Sequence, residues 1–300
     1  MADLPYTLTI RDLSSSQSDE IQESVVEFEV DLTTDLASQI RFVVFDPDFR
    51  MHNANYFMVR REVLYGDDVY EMATVEVSQP SAGIQTVEVM CRTAAIQKLK
   101  RDKGAAQFGN ISPTSFAQQQ AAALGLGFFG SSTAAKGAIV RTLDENTDES
   151  TWDVLKRLGN EANVTVFESG GILYFAKEED IVARQTDFTV NVGAESSDPF
   201  YMHEFYLQRS DDEEIGATLD AEIARENGVK IRPGMVVSVQ GISNFPEKMM
   251  VTQVTYNAPL IDEGLGDAIA DPVSISARTP DDPDDVKEAS SSTSSTKSTY

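Results

Sequence analysis

The sequence predicts a mainly β fold with an α+β middle, and three features carry that prediction. Six short runs between Leu4 and Thr93 are rich in Val, Phe, Tyr and Thr and are broken by turn residues. A helical apolar period and then a Gly-Gly hairpin signal occupy Ser150 to Lys177. A second set of strand-like runs begins near Phe200 and ends at Ala277. The 300 residues divide accordingly into an N-terminal β unit (1–103), a helical and helix-hairpin middle unit (104–195), a second β unit (196–279) and an acidic Ser/Thr-rich tail (280–300).

In the first unit the expected strands are Tyr6 to Ile10, Val25 to Leu32, Ile40 to Phe45, Tyr56 to Tyr65, Val69 to Ser78 and Gln85 to Cys91. Val26, Phe28 and Val30 alternate with Glu27 and Glu29, the period of a strand with one wet face. Asp46-Pro47-Asp48 and Gly66-Asp67-Asp68 are turn signals. Strands of this number and spacing predict a barrel or a sandwich. Ala94 to Lys103 predicts a short basic helix.

The middle unit opens with a helix over Ser112 to Leu126, capped by Ser112, Thr114 or Ser115 and stopped at Gly125 or Gly127. Phe128 and Phe129, flanked by Gly127 and Gly130, predict a flexible apolar loop. Such a loop either packs its own aromatics or grips a neighbouring subunit, since exposed aromatic pairs serve as contacts. Ser150 then caps a second helix, with Asp153 in the capping-box position. Trp152, Leu155, Leu158 and Ala162 share its apolar face, while Lys156, Arg157, Asn160 and Glu161 stay wet. Asn163 ends it, and Val164 to Glu168 and Ile172 to Ala176 form a hairpin through Ser169, Gly170 and Gly171. Trp152, Leu155, Leu158, Tyr174 and Phe175 are the expected core of this unit.

In the second β unit Ile231 to Val239, Met249 to Tyr256 and Val273 to Ala277 predict strands. Ser210 to Asn227 fits either a helix, through Ile215, Leu219, Ile223 and Ala224, or an extended arm. Asn257 to Asp271 is a long acidic loop. From Pro280 the chain is too polar to bury a core and is expected to be disordered when free.

The helix-hairpin unit, through Ser150, Trp152, Leu155, Leu158, Glu161, Ala162, Gly171, Leu173, Tyr174 and Phe175, resembles the middle domain of tailed-phage tail-hub proteins. That family includes late-control D proteins and the baseplate hubs of contractile tails. The preceding helix ending in Gly125-Leu126 and the Arg232-Pro233-Gly234 strand pattern resemble the same proteins on either side. The resemblance implies two β-barrel domains flanking a helix-hairpin domain. It also implies a ring of subunits, usually a homotrimer, that joins the tail tube or a distal tail protein to the tip, spike or fibre proteins. DNA would pass through such a ring without specific binding. The protein would lie in the virion, at the tail tip or baseplate, after assembly in the host cytoplasm.

Composition agrees with a structural role. Forty-nine Asp and Glu against 24 Lys and Arg give a formal net charge of −25. Such a surface repels phosphates, which argues against tight DNA binding but suits a conduit. Solubility or a saline habitat explains the same charge. No apolar run approaches the ~20 residues of a membrane span, and the N-terminus lacks a signal-peptide pattern. One cysteine, Cys91, excludes an intrachain disulfide and is expected to be buried.

Chemistry is sparse. The two histidines, His52 and His203, stand outside any metal-ligand spacing, and no nucleophile elbow, phosphate loop or dinucleotide fingerprint occurs. The carboxylate runs at Asp211 to Glu214 and Asp281 to Asp285 are read as solvated rather than as calcium sites. No catalytic, metal or cofactor residue is expected. The competing functional classes are a receptor- or carbohydrate-binding tail module and a tail-associated wall hydrolase.

Overall fold

The computed structural model describes residues 4–13, 18–35, 37–46, 61–78, 86–134, 138–141, 143–144, 147–209, 216–243, 245, 248–258 and 271–280. The first β unit contains β1 (Leu8–Asp12), β2 (Ser18–Glu20), β3 (Val25–Thr33), β4 (Gln39–Phe45), β5 (Arg61–Tyr65), β6 (Asp68–Ser78) and β7 (Thr86–Thr93). Alternation sets which face is buried. In β7, Val87, Val89, Cys91 and Thr93 point inward while Thr86, Glu88, Met90 and Arg92 do not. In β3, Phe28 and Val30 are buried between exposed Glu27 and Glu29. A register shift between Val25 and Glu27 turns Val25 into the core ahead of Val26.

Helix α1 (Ala94–Arg101) leads into the middle unit. There follow β8 (Ala106–Asn110), α2 (Pro113–Leu124), β9 (Gly127–Gly130), β10 (Ala138–Arg141), β11 (Leu143–Asp144), β12 (Thr147–Asp148), α3 (Thr151–Ala162), β13 (Thr165–Ser169), β14 (Ile172–Ala176) and α4 (Glu178–Val182). The second β unit holds β15 (Phe188–Asn191), β16 (Met202–Gln208), β17 (Thr218–Ile223), α5 (Arg225–Gly228), β18 (Val236–Gln240), β19 (Lys248–Asn257) and β20 (Val273–Arg278).

Thirteen strands form one sheet in the order β16-β17-β20-β19-β3-β4-β7-β6-β5-β1-β2, with β18 on β19 and β15 on β18. The link between the two β units is the β3–β19 ladder, from Thr33 opposite Gln253 to Glu29 opposite Asn257. One apolar core runs from Leu4 to Ala277 across both units. Within the described residues the two expected barrels are thus joined by hydrogen bonds and packing, not left as separate sheets. The middle unit keeps its own core, centred on Ile96, Phe116, Trp152, Leu155 and Phe175.

Three expectations are corrected. Phe128 and Phe129 are not in a flexible loop: they form β9, which pairs in parallel with β14, Phe128 opposite Leu173 and Phe129 opposite Tyr174. Pairing with a strand far along the chain gives these four residues an order that their own sequence does not encode. The helical alternative for Ser210 to Asn227 gives way to β17, because Leu219, Ala221 and Ile223 are buried at a period of two. Among the described residues there, only Arg225–Gly228 are helical. Phe188–Asn191, placed with the middle unit by the boundary at 195, pairs in parallel with β18 and belongs to the large sheet. His52, Ile215, Tyr56, both carboxylate runs, most of the 257–271 loop and the tail lie outside the described residues.

Candidate functional site

The helix-hairpin of the middle unit is held by local capping. Ser150 Oγ accepts from Asp153 N at 3.2 Å, and Asp153 Oδ2 accepts from Ser150 N at 2.9 Å, a reciprocal capping box. Asn163 ends α3 in the left-handed conformation, φ 52°, which its short amide tolerates. Trp152 (7% exposed), Leu155 and Leu158 pack with Val164, Val166, Leu173 and Phe175. Lys156 Nζ lies 5.7 Å above the Trp152 ring and donates to Val166 O at 3.0 Å. Burial lowers the pKa of Lys156.

The hairpin has two working faces. Val166, Leu173 and Phe175 face α3, while Phe167 and Tyr174 face the opposite way. The Phe167 and Tyr174 rings stack at 4.5 Å and 6°, and they pack with Val236 and Met250 of the second β unit. Phe128 is half-buried against the middle core. Phe129 is half-buried too, with its ring 5.9 Å from that of Tyr174 and the Arg184 guanidinium 5.2 Å away. Both rings are therefore partly engaged within the chain.

The first β unit, the hairpin turn and the second β unit meet at a polar seam. It encloses about 280 Å³ and is lined by Arg11, Glu62, Asp68, Thr93, Glu168 and Arg232, among others. Arg232 Nη2 pairs with Asp68 Oδ2 at 3.2 Å, and its Nη1 donates to Val229 O at 2.7 Å and Ile231 O at 3.0 Å. Arg11 and Lys98 both pair with Glu62. Glu168 is 6% exposed, and its Oε1 accepts from Gly171 N at 3.1 Å. Among the described residues Glu168 Oε2 and Thr93 Oγ1 make no hydrogen bond of normal geometry, although the Thr93 hydroxyl lies near enough to act on the Glu168 carboxyl. Burial pushes the Glu168 carboxyl up to about 7, with the Asp68 charge adding to it and the Gly171 N–H and Thr93 hydroxyl opposing it. Burial also raises Asp68, against the pull of Arg232. Nearby, the Tyr256 and Tyr65 hydroxyls meet at 3.4 Å across the two β units.

None of Asp68, Thr93, Glu168 or Arg232 stands out as a site in the sequence. The available signal was Glu168, a charge at an inward position of an apolar hairpin strand.

Elsewhere the surface offers an open sheet edge. Among the described residues β16 pairs only with β17, and it carries Phe205 (43% exposed) and Tyr206 (62% exposed). His203 lies exposed on the same strand, its ring edge-on to Tyr201 at 5.2 Å. Cys91 is fully buried in β7, and burial drives its thiol pKa up. Among the described residues no group of three His, Cys, Asp or Glu is placed to hold a metal, and no helix is long and apolar enough to cross a membrane.

No protein-family model and no curated protein matches the sequence. Solved structures do match it. A tail protein from Neisseria meningitidis MC58 superimposes with a TM-score of 0.58 at 11% identity, covering 91% of this chain and 96% of that one. The 43 kDa tail protein of prophage MuSo2 from Shewanella oneidensis gives 0.59 at 10% identity, over 92% and 97%. The E. coli c3393 protein gives 0.58 at 14% identity, over 92% and 77%; it is described as a type VI secretion component with structural similarity to T4 bacteriophage tail proteins gp27 and gp5. Matches at this identity establish architecture. Over nearly its whole length, the chain has the fold of phage and prophage tail proteins, the group its helix-hairpin unit resembles.

Proposed function

We propose that this chain is a non-enzymatic structural subunit of a phage tail, the hub at the tip or baseplate. One observation carries the reading: the similarity to tail proteins extends through both β units and the middle unit together, over 91–92% of the chain. A shared single domain would leave the role open; a shared arrangement of all three units supports a shared mechanical task. In this reading the subunits close into a ring, a homotrimer, by repeating one heterologous contact. The two β units of each subunit would present a pseudo-sixfold face to the tail tube, and the opposite face would meet the tip or spike.

The open edge of β16, with Phe205 and Tyr206, suits a contact that neighbouring chains complete, since unpaired edges otherwise invite aggregation. Phe128 and Phe129 are proposed to contribute what remains of their exposed surface to such a contact. The acidic excess supports passage of DNA without capture. Gold-labelled antibody against the chain tests the location on intact virions. Label at the distal end of the tube is expected; label on the head, or along the whole tube, would overturn the proposal.

A further inference from the structure

The polar seam contains a carboxyl that the fold buries and then leaves half unsatisfied. Glu168 sits at the end of β13 on the face that carries Val166, Leu173 and Phe175, so its side chain points inward. Its Oε1 is held by the N–H of Gly171 in its own hairpin turn. Its Oε2 makes no hydrogen bond of normal geometry, and the neighbouring Thr93 hydroxyl, itself 8% exposed, lies near enough to favour the ionised form, against burial and the Asp68 charge. The charged groups around it leave no spare cation. Arg232, before β18, is committed to Asp68 and two carbonyls. Arg11 on β1 and Lys98 on α1 are paired with Glu62 on β5. From β6 the carboxylate of Asp68 faces Glu168, as does the buried Tyr70 phenol, whose own ionisation burial suppresses.

We propose that this seam is a proton-operated latch, in which neutral Glu168 clamps the middle unit to the sheet and ionised Glu168 loosens it. The chemistry is a proton balance. Neutral Glu168 can donate its own O–H to the Thr93 hydroxyl and holds no charge against Asp68, whereas ionised Glu168 can only accept from Thr93. Ionised Glu168 keeps the Gly171 bond and the help of the Thr93 hydroxyl but places a second negative charge beside Asp68 in a buried space. An ordinary glutamate in the opened seam releases its proton near 4.5, whereas the closed seam holds it to about 7. Between those values the closed form therefore binds one more proton than the open form. Clamping is complete below the lower value and is lost progressively as pH rises through the upper one. The seam is thus poised close to neutral pH.

The test uses the full-length protein and an isosteric variant, Glu168→Gln, which keeps the acceptor for Gly171 and cannot ionise. Amide hydrogen exchange at β13 and β14 is followed from pH 4.5 to 8, with the intrinsic base catalysis divided out. Wild-type protection is expected to fall by up to about tenfold per pH unit across the window and to level off above it. The variant's protection should stay flat over the same range. A 13C titration of the Glu168 carboxyl provides an independent reading should the variant fail to fold. A midpoint near 7 supports the latch. A midpoint near the ordinary 4.5, or wild-type and variant protection that run parallel with pH, would overturn it.

Discussion

Replacement of Trp152 by Ala removes the largest side chain from the middle core. The indole, carried by α3, is 7% exposed and shares the middle core with Ile96, Phe116, Val166 and Phe175, with Lys156 Nζ 5.7 Å from its ring. A buried aromatic of this size removes roughly 150–250 Å² from water. At about 25 cal/mol per Å² that is ~4–6 kcal/mol, of which Ala retains the Cβ share. The expected loss is about 3–5 kcal/mol, in the range of other large aromatic deletions in cores. Trp152 is the only tryptophan in the chain, so its fluorescence vanishes with the substitution. Urea unfolding followed by far-UV circular dichroism avoids that problem. Trp152→Phe should recover more than half of the loss, because a ring again fills the site. A cost below about 1 kcal/mol for Trp152→Ala would refute the packing argument.

Three further outcomes follow from local geometry. Ser150→Ala removes the Oγ half of the capping box and the bond Oγ donates to Asp153 Oδ2, and should cost about 1 kcal/mol in the same unfolding experiment, with Ser150→Thr close to neutral. Gly159→Ala places a methyl group against Val166 Cγ2 and 3.1 Å from Val164 O, so α3 must move off the hairpin. A loss of about 1–3 kcal/mol is expected, despite the better helix propensity of Ala. Cys91 should resist alkylation by iodoacetamide in the native protein and react once urea unfolds it, since burial keeps it a thiol; fast native labelling would contradict that.

The parts of the fold legible in the sequence are those fixed by near neighbours. Ser150 and Asp153 close a capping box by themselves, and Trp152, Leu155 and Leu158 mark one helix face without help from elsewhere. The strands around Phe28, Ile40 and Val87 announce themselves by alternation or by β-branched runs. What escaped depends on distant partners. Phe128 and Phe129 become a strand only because β14 lies alongside, and Phe188–Asn191 only because β18 does. The junction of the two β units through Thr33 and Gln253 has no local signature. Glu168 reads as one acid among forty-nine until the fold brings Thr93, Asp68 and Arg232 around it.

The central claim is a closed ring that conducts DNA, and the symmetry of the purified oligomer tests it most directly. Electron cryomicroscopy of the chain at tens of micromolar, alone and with the tube and tip proteins proposed as its partners, should show a threefold ring with a hole wide enough for duplex DNA. Acidic side chains should outnumber basic ones along its inner wall, so that phosphates pass without being held. A stable monomer under both conditions, or a lumen lined mainly by Lys and Arg, would contradict the account.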